Sequence, residues 1–350
     1  MKPVDSSIVA LFVLTAAAFV VTVAWTPLLT NFLYRHRLGK RIRASGQTPV
    51  FTELHQQKQG TPTMGGVLIW VTTLALALVP WFLDRVLGLR FWHQFNFLTR
   101  AETLLPLGAL VAASLVGLAD DWFDIRRTNN VGGLRVRHRL MIYSLIAAVG
   151  AWWFVAKLDW TTIHVPFVGN FDIGWWYVPI FIFIIVATSH SVNITDGLDG
   201  LAGGVLLSTF ATFGAIAFVQ GRFHLATFCG VIVGCLLAFL WFNIHPARFF
   251  MGDTGAMGLG TTLGVVAMLT NAALLLPVIA ALLVVESLSV IVQVSSKLWD
   301  RRRLFRSAPI HHHFQAIGWP EPKVVMRFWI VSAVSAVIGF ILFLIDRGVT

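Results

Sequence analysis

Residues 201–242 read LAGGVLLSTFATFGAIAFVQGRFHLATFCGVIVGCLLAFLWF and are the most informative segment about the fold. Two long apolar runs are separated there only by the short polar step Gln220-Gly-Arg222. A helix needs about 20 consecutive apolar residues to cross the hydrocarbon core of a bilayer, and each run is about that long. The segment therefore predicts two membrane-spanning helices joined by a tight turn.

The rest of the chain has the same character. Of its 350 residues, 57% are hydrophobic and only 12% are charged, and the mean hydropathy is +0.78. Soluble domains carry about 25% charged residues, so a water-soluble fold is excluded. The apolar runs are continuous, which also excludes an outer-membrane barrel. We predict an all-α polytopic integral membrane protein, a single domain over residues 1–350, with about ten transmembrane helices at roughly 7–33, 64–83, 103–119, 139–156, 175–192, 199–219, 223–242, 255–270, 272–298 and 325–345.

The basic residues are distributed unevenly between alternate connections. Nineteen of the 26 Lys and Arg residues fall in the connections that follow the odd-numbered spans. By the positive-inside rule these connections are cytoplasmic, which places both termini on the periplasmic side. The formal net charge of +10 therefore indicates orientation and attraction to anionic headgroups rather than nucleic-acid binding. An anionic substrate would be attracted by the same field.

One periplasmic connection, residues 159–174, is rich in β-branched and turn-forming residues. Thr161-Thr-Ile163 and Val165-Pro-Phe167 alternate around Gly169-Asn170. Such a pattern is typical of a β-hairpin. We therefore expect a small periplasmic β-hairpin at this position.

The acidic residues indicate where polar chemistry takes place. An aspartate or glutamate at the centre of a membrane helix costs about 2.5–3.5 kcal/mol, so each of the 16 acids needs a reason for its position. Nine fall in or beside the cytoplasmic connections, and only Glu286 lies deep in an apolar run. The sequence thus predicts a polar site at the cytoplasmic face of the membrane.

Two groups of acids stand at helix ends. Asp120-Asp121 closes the third span, where adjacent acids oppose the helix dipole and repel each other unless a cation or metal offsets their charge. Asp253 precedes the eighth span within Phe249-Phe-Met-Gly-Asp-Thr-Gly255, where the helix N-terminus favours a phosphate or a metal-phosphate group. A solvated helix end and an ordinary N-cap are the plainer interpretations.

The third group is the connection Asn193-Ile-Thr-Asp-Gly-Leu-Asp-Gly200. It spaces Asn193, Asp196 and Asp199 three residues apart, and its glycines let a ligand approach the backbone closely. A glycine-rich loop is the plainer interpretation. The three groups together suit a hard dication held by one or two carboxylates and by phosphate oxygens, as magnesium usually is.

A histidine triplet lies in the last cytoplasmic connection, within Ser307-Ala-Pro-Ile-His-His-His-Phe314. Three consecutive histidines cannot all reach one metal from a regular helix or strand, which argues against a zinc site. They are better suited to donate hydrogen bonds to a diphosphate.

A further anion-binding segment, Lys58-Gln-Gly-Thr-Pro-Thr-Met-Gly-Gly66, enters the second span. Its glycines and threonines offer backbone and hydroxyl donors at a helix N-terminus, and Lys58 adds a point charge. Ordinary capping before a helix explains the segment equally well.

These motifs together resemble the bacterial phospho-N-acetylmuramoyl-pentapeptide transferases, within the polyprenyl-phosphate N-acetylhexosamine-1-phosphate transferase superfamily. The resemblance covers nearly the whole chain, because the quoted segments stand in the family's order and residues 318–330, GWPEPKVVMRFWI, are also similar. The histidine triplet is the discriminating element, since the GlcNAc-1-phosphate branch lacks that form. The chain departs from the family's pattern at Asp124 and Arg139, where lysine is usual or frequent, and at Ala256, where serine is common.

The resemblance implies a magnesium-dependent transfer of phospho-MurNAc-pentapeptide from UDP-MurNAc-pentapeptide to undecaprenyl phosphate, giving lipid I and UMP. This reaction is the first membrane step of peptidoglycan synthesis. It implies a multi-pass protein of the bacterial cytoplasmic (inner) membrane with its active site on the cytoplasmic face. Phosphoryl transfer depends on positioning and charge stabilisation, which agrees with the clustered acids. A homodimer is expected from the resemblance alone.

The resemblance also assigns roles to residues. Asp253 is the expected magnesium ligand, Asp120 the base for the lipid phosphate, and Asp121 its assistant or a nucleotide ligand. In an alternative mechanism an aspartate acts as a nucleophile and forms a covalent phosphoryl intermediate. His312 is expected to be catalytic as well. Substrate-binding residues are expected to be Lys58, Thr63, Asn193, Asp196, Asp199, Asn243, Phe250, Gln293, His311 and His313.

Two other functions are compatible with the sequence. The nearer one is transfer of GlcNAc-1-phosphate to a polyprenyl phosphate by a sister enzyme. The more distant one is an ion-coupled transporter, suggested by the many spans and by the deep acid Glu286. The acids of a transport path should lie near the bilayer midplane, whereas most acids here gather at one face.

Overall fold

The computed structural model describes residues 3–39, 58, 60–126, 134–299 and 304–349. Within these ranges the chain is a bundle of long helices with one small β-hairpin, which confirms the predicted fold class. Nine of the helices described are long and apolar enough to cross a membrane. The helices are α1 (Pro3–Arg35), α2 (Val67–Arg85), α3 (Leu104–Arg126), α4 (Val136–Lys157), α5 (Tyr177–Thr195), α6 (Leu201–Val219), α7 (Phe223–Asn243), α8 (Gly252–Leu269), α9 (Leu276–Ile279), α10 (Ala281–Trp299), α11 (Ile310–Ala316) and α12 (Glu321–Val349).

The long helix outside that set of nine is α8, which forms the centre of the bundle. Every residue from Thr254 to Leu269 is buried, with α3 and α5 as its main neighbours. Glycines allow this close packing: a Cβ at Gly260 would lie only 2.7 Å from the Cα of Ser189 in α5. Small residues at helix contacts are typical of membrane bundles. Because protein rather than lipid surrounds α8, it tolerates more glycine and threonine than the helices around it.

The span expected at 272–298 is divided into two helices. Helix α9 covers only Leu276–Ile279, and Ala280 then departs from helical geometry with φ −109° and ψ 37°. Pro277 lies in the first turn of α9 and has no backbone N–H, so a helix arriving from Ala272 cannot continue through it. The expectation of one continuous helix over this range was wrong.

The predicted hairpin is confirmed, with its turn shifted. Strand β1 (Thr162–Val165) pairs antiparallel with β2 (Gly169–Asp172), and Val165 lies opposite Gly169. The turn therefore occupies residues 166–168 rather than Gly169-Asn170, because Phe167 adopts the left-handed conformation with φ +65°.

The hairpin packs on the end of α12. Asp346 accepts the backbone N–H of Phe167 at 2.5 Å, and its other oxygen lies 2.5 Å from Nε2 of His164. The other end of α12, at Glu321, lies against Lys58 and the backbone N–H of Asp199. A helix rises about 1.5 Å per residue, so the two ends of the bundle are roughly 38 Å apart. We call them the hairpin end and the acidic end.

Candidate active site

Backbone hydrogen bonds join two distant segments at the acidic end. The N–H of Phe250 donates to the carbonyl of Pro62 at 2.8 Å. Gly66 allows this approach, because a Cβ there would lie 2.2 Å from the Cα of Gly255. Residues 61–66 are thereby fixed against the N-terminus of α8.

Arg139 connects two acids from different helices. Its Nε lies 2.5 Å from Asp120 Oδ2, and its Nη2 lies 2.8 Å from Asp253 Oδ2. The backbone N–H of Leu134 also donates to Asp120 Oδ1 at 2.5 Å. The side chain of Asp253 is 20% exposed and that of Asp120 only 4%, so Asp253 is the more accessible carboxylate. Because two carboxylates repel each other, the guanidinium is what stabilises their approach.

The connection after α5 contributes an amide to the same group. Nδ2 of Asn193 donates to Asp253 Oδ1 at 2.6 Å, so both oxygens of Asp253 have a partner. Asp196 lies just beyond the end of α5, half-buried, and its N–H donates to the carbonyl of Val192. The structure therefore brings Asn193, Asp120 and Asp253 together, as expected from the topology.

Asp121 is bonded to the backbone of α8. Its Oδ1 accepts the N–H of Asp253 and its Oδ2 the N–H of Thr254, each at 3.1 Å. A carboxylate that receives the first N–H groups of a helix acts as an N-cap, which is supplied here by a neighbouring helix. Gly252 has φ +74°, and a Cβ there would lie 2.6 Å from both Asp121 Oδ2 and Thr63 Oγ1. Asp121 thus fixes the backbone that carries Asp253.

A second ionic cluster surrounds Lys58. Its Nζ lies 2.6 Å from Asp199 Oδ1 and 2.5 Å from Glu321 Oε1. Nδ1 of His245 lies 2.9 Å from Asp199 Oδ2. The backbone N–H of Asp199 donates to Glu321 Oε1 at 2.7 Å. The cluster therefore joins the 193–200 connection to the segment after α7 and to the first turn of α12.

Two expected substrate-binding residues support this cluster. Asn243, which is 4% exposed, accepts the N–H of Gly200 through Oδ1 at 2.9 Å and donates through Nδ2 to the carbonyl of Phe249 at 2.7 Å. Asn243 is thus fully engaged with the backbone. The ring of Phe250 is half-buried, and its centroid lies 5.9 Å from Nζ of Lys58. Phe250 consequently presents part of its face beside the cluster.

The three histidines have different environments on the short helix α11. His311 is fully buried, and its Nδ1 lies 2.9 Å from Oε2 of Glu286, which is also fully buried. His312 is 5% exposed and pairs through Nδ1 with Gln315 Oε1 at 2.9 Å. His313 accepts the backbone N–H of Arg306 through Nδ1 at 3.2 Å. The roles predicted for them, catalysis for His312 and substrate binding for His311 and His313, stay predictions, and the structure gives each of the three rings a different partner.

Gln293 binds backbone groups of the connection before α11. Its Nε2 donates to the carbonyl of Phe305 at 3.1 Å, and its Oε1 accepts the N–H of the same residue at 3.0 Å. This paired contact attaches the connection to α10. Gln293 is 6% exposed, so it holds the backbone of this connection and presents little surface to a ligand.

Two groups of side chains offer ligands for a divalent cation. Asp120 and Asp253 present hard oxygens around a position that already attracts the charge of Arg139, and such donors fit magnesium. Asp199, His245 and Glu321 also place ligand atoms within 4.8 Å of one another, but Lys58 supplies a cation there. A dication in either group would have to displace a basic side chain, Arg139 in the first and Lys58 in the second. The first group is the better candidate for magnesium because both of its ligands are carboxylates, whereas the second includes an imidazole nitrogen.

No site role was predicted from the sequence for four residues, namely Arg139, His245, Glu286 and Glu321. Arg139 was counted among the topology-setting charges, although it stands where the resembling family often has a cation. Glu286 can be recognised in the sequence as the one acid deep in an apolar run, but its partner His311 lies 25 residues away. His245 and Glu321 cannot be recognised in this way, because only the folded chain brings them to Asp199.

Matches to family models define the class of protein. Residues 103–271 match the model of glycosyl transferase family 4. Residues 58–69 match signature 1 of the phospho-N-acetylmuramoyl-pentapeptide-transferases. The helical bundle with its acidic end is accordingly that of a membrane-embedded phospho-sugar transferase.

Relatives identify the family more closely. Proteins named phospho-N-acetylmuramoyl-pentapeptide-transferase are similar to this chain over nearly its whole length. The one from Chloroflexus aurantiacus is 40% identical over 346 residues, covering 95% of this chain and 89% of the relative. Those from Geobacillus kaustophilus and Rubrobacter xylanophilus are both 38% identical, covering 94% of this chain and 97% and 95% of the relatives. The chain belongs to the phospho-N-acetylmuramoyl-pentapeptide-transferase family, as the resemblance of its motifs indicated.

Proposed function

We propose that this enzyme transfers phospho-MurNAc-pentapeptide from UDP-MurNAc-pentapeptide to undecaprenyl phosphate, with lipid I and UMP as products. The names of its relatives support the sugar-peptide specificity. We further propose that the reaction requires magnesium and takes place at the cytoplasmic face of the inner membrane. The first substrate is soluble and polyanionic and the second is a lipid phosphate, so the site must lie where the bilayer meets water.

The observation that carries this proposal is the group formed by Asp120, Arg139 and Asp253. Two carboxylates from α3 and α8 are held on one guanidinium at 2.5 and 2.8 Å, at the end of the bundle where the acids gather. Bringing like charges together at a membrane surface is unfavourable unless a cation or cationic complex binds them. Arg139 supplies part of this positive charge, and a dication carried with the diphosphate would supply the rest.

Magnesium would be held by Asp253, the more accessible of the two carboxylates, with Asp120 nearby. A bound magnesium ion would neutralise the diphosphate and stabilise the departing UMP. Asn193 holds one oxygen of Asp253 at 2.6 Å, and Asp121 holds its backbone N–H at 3.1 Å. These two residues would keep Asp253 oriented, because carboxylate position decides charge stabilisation in phosphoryl transfer.

Asp120 would orient the lipid phosphate or accept its proton. A phosphate monoester has a second pKa of about 6 and is mostly dianionic at neutral pH, so attack needs little proton removal. Arg139 contacts both Asp120 and Asp253 and could move to a phosphate oxygen, since a guanidinium pairs with phosphate as well as with carboxylate. Arg139 would thus serve as a second positive group beside the reacting phosphates.

The nucleotide would bind beside the Lys58 cluster. The half-buried ring of Phe250 would stack on the base, and Lys58 lies near both that ring and Asp199. The buried amides of Asn243 and Gln293 hold the surrounding backbone in place. A flat aromatic face and a nearby carboxylate are suited to a base and its polar edge.

Purified membranes supplied with radiolabelled UDP-MurNAc-pentapeptide and undecaprenyl phosphate provide the test. We expect a labelled lipid product and release of UMP, both abolished by a chelator and restored by magnesium. UDP-GlcNAc offered in parallel should give no labelled lipid. Product from UDP-GlcNAc alone would identify the sister transferase, and unchanged turnover with chelator would contradict the magnesium requirement.

A further inference from the structure

The deep acid Glu286 has a single imidazole partner in the histidine triplet. Its Oε2 lies 2.9 Å from Nδ1 of His311, and both side chains are 0% exposed. The backbone amides of Ile310 and His311 also face this carboxylate. Glu286 therefore contacts both the side chain and the first turn of α11.

Burying a carboxyl group and an imidazole among membrane helices is costly, so the presence of this pair calls for an explanation. A pair of apolar side chains would fill the same space between α10 and α11 without that cost. The carboxyl–imidazole pair differs from an apolar pair because the carboxyl group fixes the orientation of the imidazole ring. Hydrogen bonding to one ring nitrogen determines which tautomer is present and where the other nitrogen points.

The other side of His311 faces the site. A Cβ built on Gly197 would lie 2.3 Å from Nε2 of His311 and 2.8 Å from its Cε1. Gly197 is in the 193–200 connection, between Asp196 and the cluster residue Asp199. The ring of His311 also lies against that of His312, with centroids 4.1 Å apart. The imidazole of His311 is thus packed between the deep carboxylate, the acidic connection and the next histidine.

We propose that Glu286 and His311 form a positioning pair that holds His312 and the 193–200 connection in register for phosphoryl transfer. His311 acts through its neighbours, because a fully buried ring does not reach a substrate. His312, the triplet member expected to be catalytic, lies directly against the His311 ring, so the pair controls the position of its imidazole. This inference rests on the proposed function and adds a role for a residue outside the signature motifs.

Two variants disturb the pair from opposite sides. Glu286→Gln keeps the shape and one acceptor but replaces one carboxyl oxygen with an amide NH₂. Gly197→Ala inserts a methyl group where Nε2 of His311 lies, and the backbone there needs no positive φ. Each should lower kcat for lipid product on the order of 10- to 100-fold, because a displacement of about 1 Å at a reacting group costs as much. KM for the UDP-sugar should change less than about threefold in Glu286→Gln, because the contacts of Glu286 are with α11 rather than with Lys58 or Phe250.

The double variant separates positioning from a general loss of folding. If both changes act through the same imidazole, Glu286→Gln combined with Gly197→Ala should lose no more than the worse single variant. Multiplied losses would overturn the shared role. Nitrogen-15 shifts of the His311 ring, assigned with His311→Gln, should move in both single variants. An unmoved resonance would contradict the pairing even if a variant is unstable.

Asp346→Asn is the matched control, because it disturbs a buried imidazole–carboxylate pair at the hairpin end. It should lower thermal stability while leaving kcat within about twofold of wild type. If Glu286→Gln behaves in the same way, the positioning role is refuted and the pair is merely structural. That result would leave the proposed function intact, whereas a wild-type enzyme without lipid product would overturn both.

Discussion

The hairpin end and the acidic end both contain buried charges, but they use them differently. At the hairpin end one carboxylate oxygen of Asp346 contacts His164 and the other accepts the backbone N–H of Phe167. Arg222 and Arg347 nearby donate to the carbonyls of Leu269 and Val219. Each charge there closes a contact between two parts of the chain.

At the acidic end the described carboxylates are concentrated around few cations. Arg139 bridges Asp120 and Asp253, and Lys58 bridges Asp199 and Glu321. Two anions on one cation leave a local excess of negative charge, which a ligand cation can relieve. The balanced pair therefore stabilises the fold, whereas the unbalanced group is where we propose the active site.

The largest effect should come from removing the exposed carboxylate of the unbalanced group. Asp253→Asn loses a negative charge at the expected metal position while keeping its shape and its place in the membrane. We expect turnover to fall on the order of 10²- to 10³-fold, as for loss of a key charge-stabilising group. The lipid-product assay measures it, with Asp346→Asn as the control. Turnover close to wild type would contradict an active site at Asp253 in the acidic end.

A smaller effect is expected from removing the cation of the second cluster. Lys58→Met leaves Asp199 and Glu321 facing each other across a largely buried space, which should cost about 3 kcal/mol of stability. Turnover should fall at the same time. Adding Glu321→Gln should recover part of the stability, because it removes the repulsion. Thermal unfolding in detergent tests this, and a double variant less stable than Lys58→Met alone would argue against like-charge repulsion.

At the balanced end the loss should be one of stability alone. Asp346→Asn removes the charge that holds His164 and weakens the attachment of the hairpin to α12. We expect about 1–3 kcal/mol of destabilisation with nearly normal turnover. Proteolysis near residues 166–168 should become faster. A large loss of turnover would mean that the two ends are coupled.

The smallest effect is expected from Asp124→Lys, which restores the residue usual in the family. Asp124 lies in the last turn of α3, where a cation suits the helix dipole, so stability should change by no more than about 1 kcal/mol. Turnover should stay within about threefold of wild type. Severe loss would reveal that the local charge balance has been rebuilt around Asp124 and Arg139.

The fold was largely predictable because the bilayer leaves few choices. Continuous apolar runs have to be helices, and even the hairpin was visible in the turn residues of 159–174. The division at Ala280 was not foreseen, because hydropathy averages over a window and Pro277 is only one residue in it. The turn of the hairpin was misplaced for a related reason, since Phe167 rather than glycine takes the left-handed position.

The site was predictable as a set of segments but not as a set of contacts. Topology alone put Asp120, Asn193 and Asp253 at one face. The capping of α8 by Asp121 depends on how α3 docks against it, and no spacing in the sequence encodes that docking. The same holds for His245, which becomes a partner of Asp199 only when the segment after α7 folds back.

The contact between α2 and the start of α8 has a consequence for the synthesis and membrane insertion of the protein. The indole of Trp70 donates to the hydroxyl of Thr254, 184 residues later in the chain. Synthesis at about 5–20 residues per second separates their emergence from the ribosome by roughly 10–40 s. During this interval α2 has been synthesised, but residues 249–255, against which residues 61–66 pack, have not. The proposed site is therefore completed only after α8 has been inserted, and we expect a nascent chain that stalls before that point to be inactive.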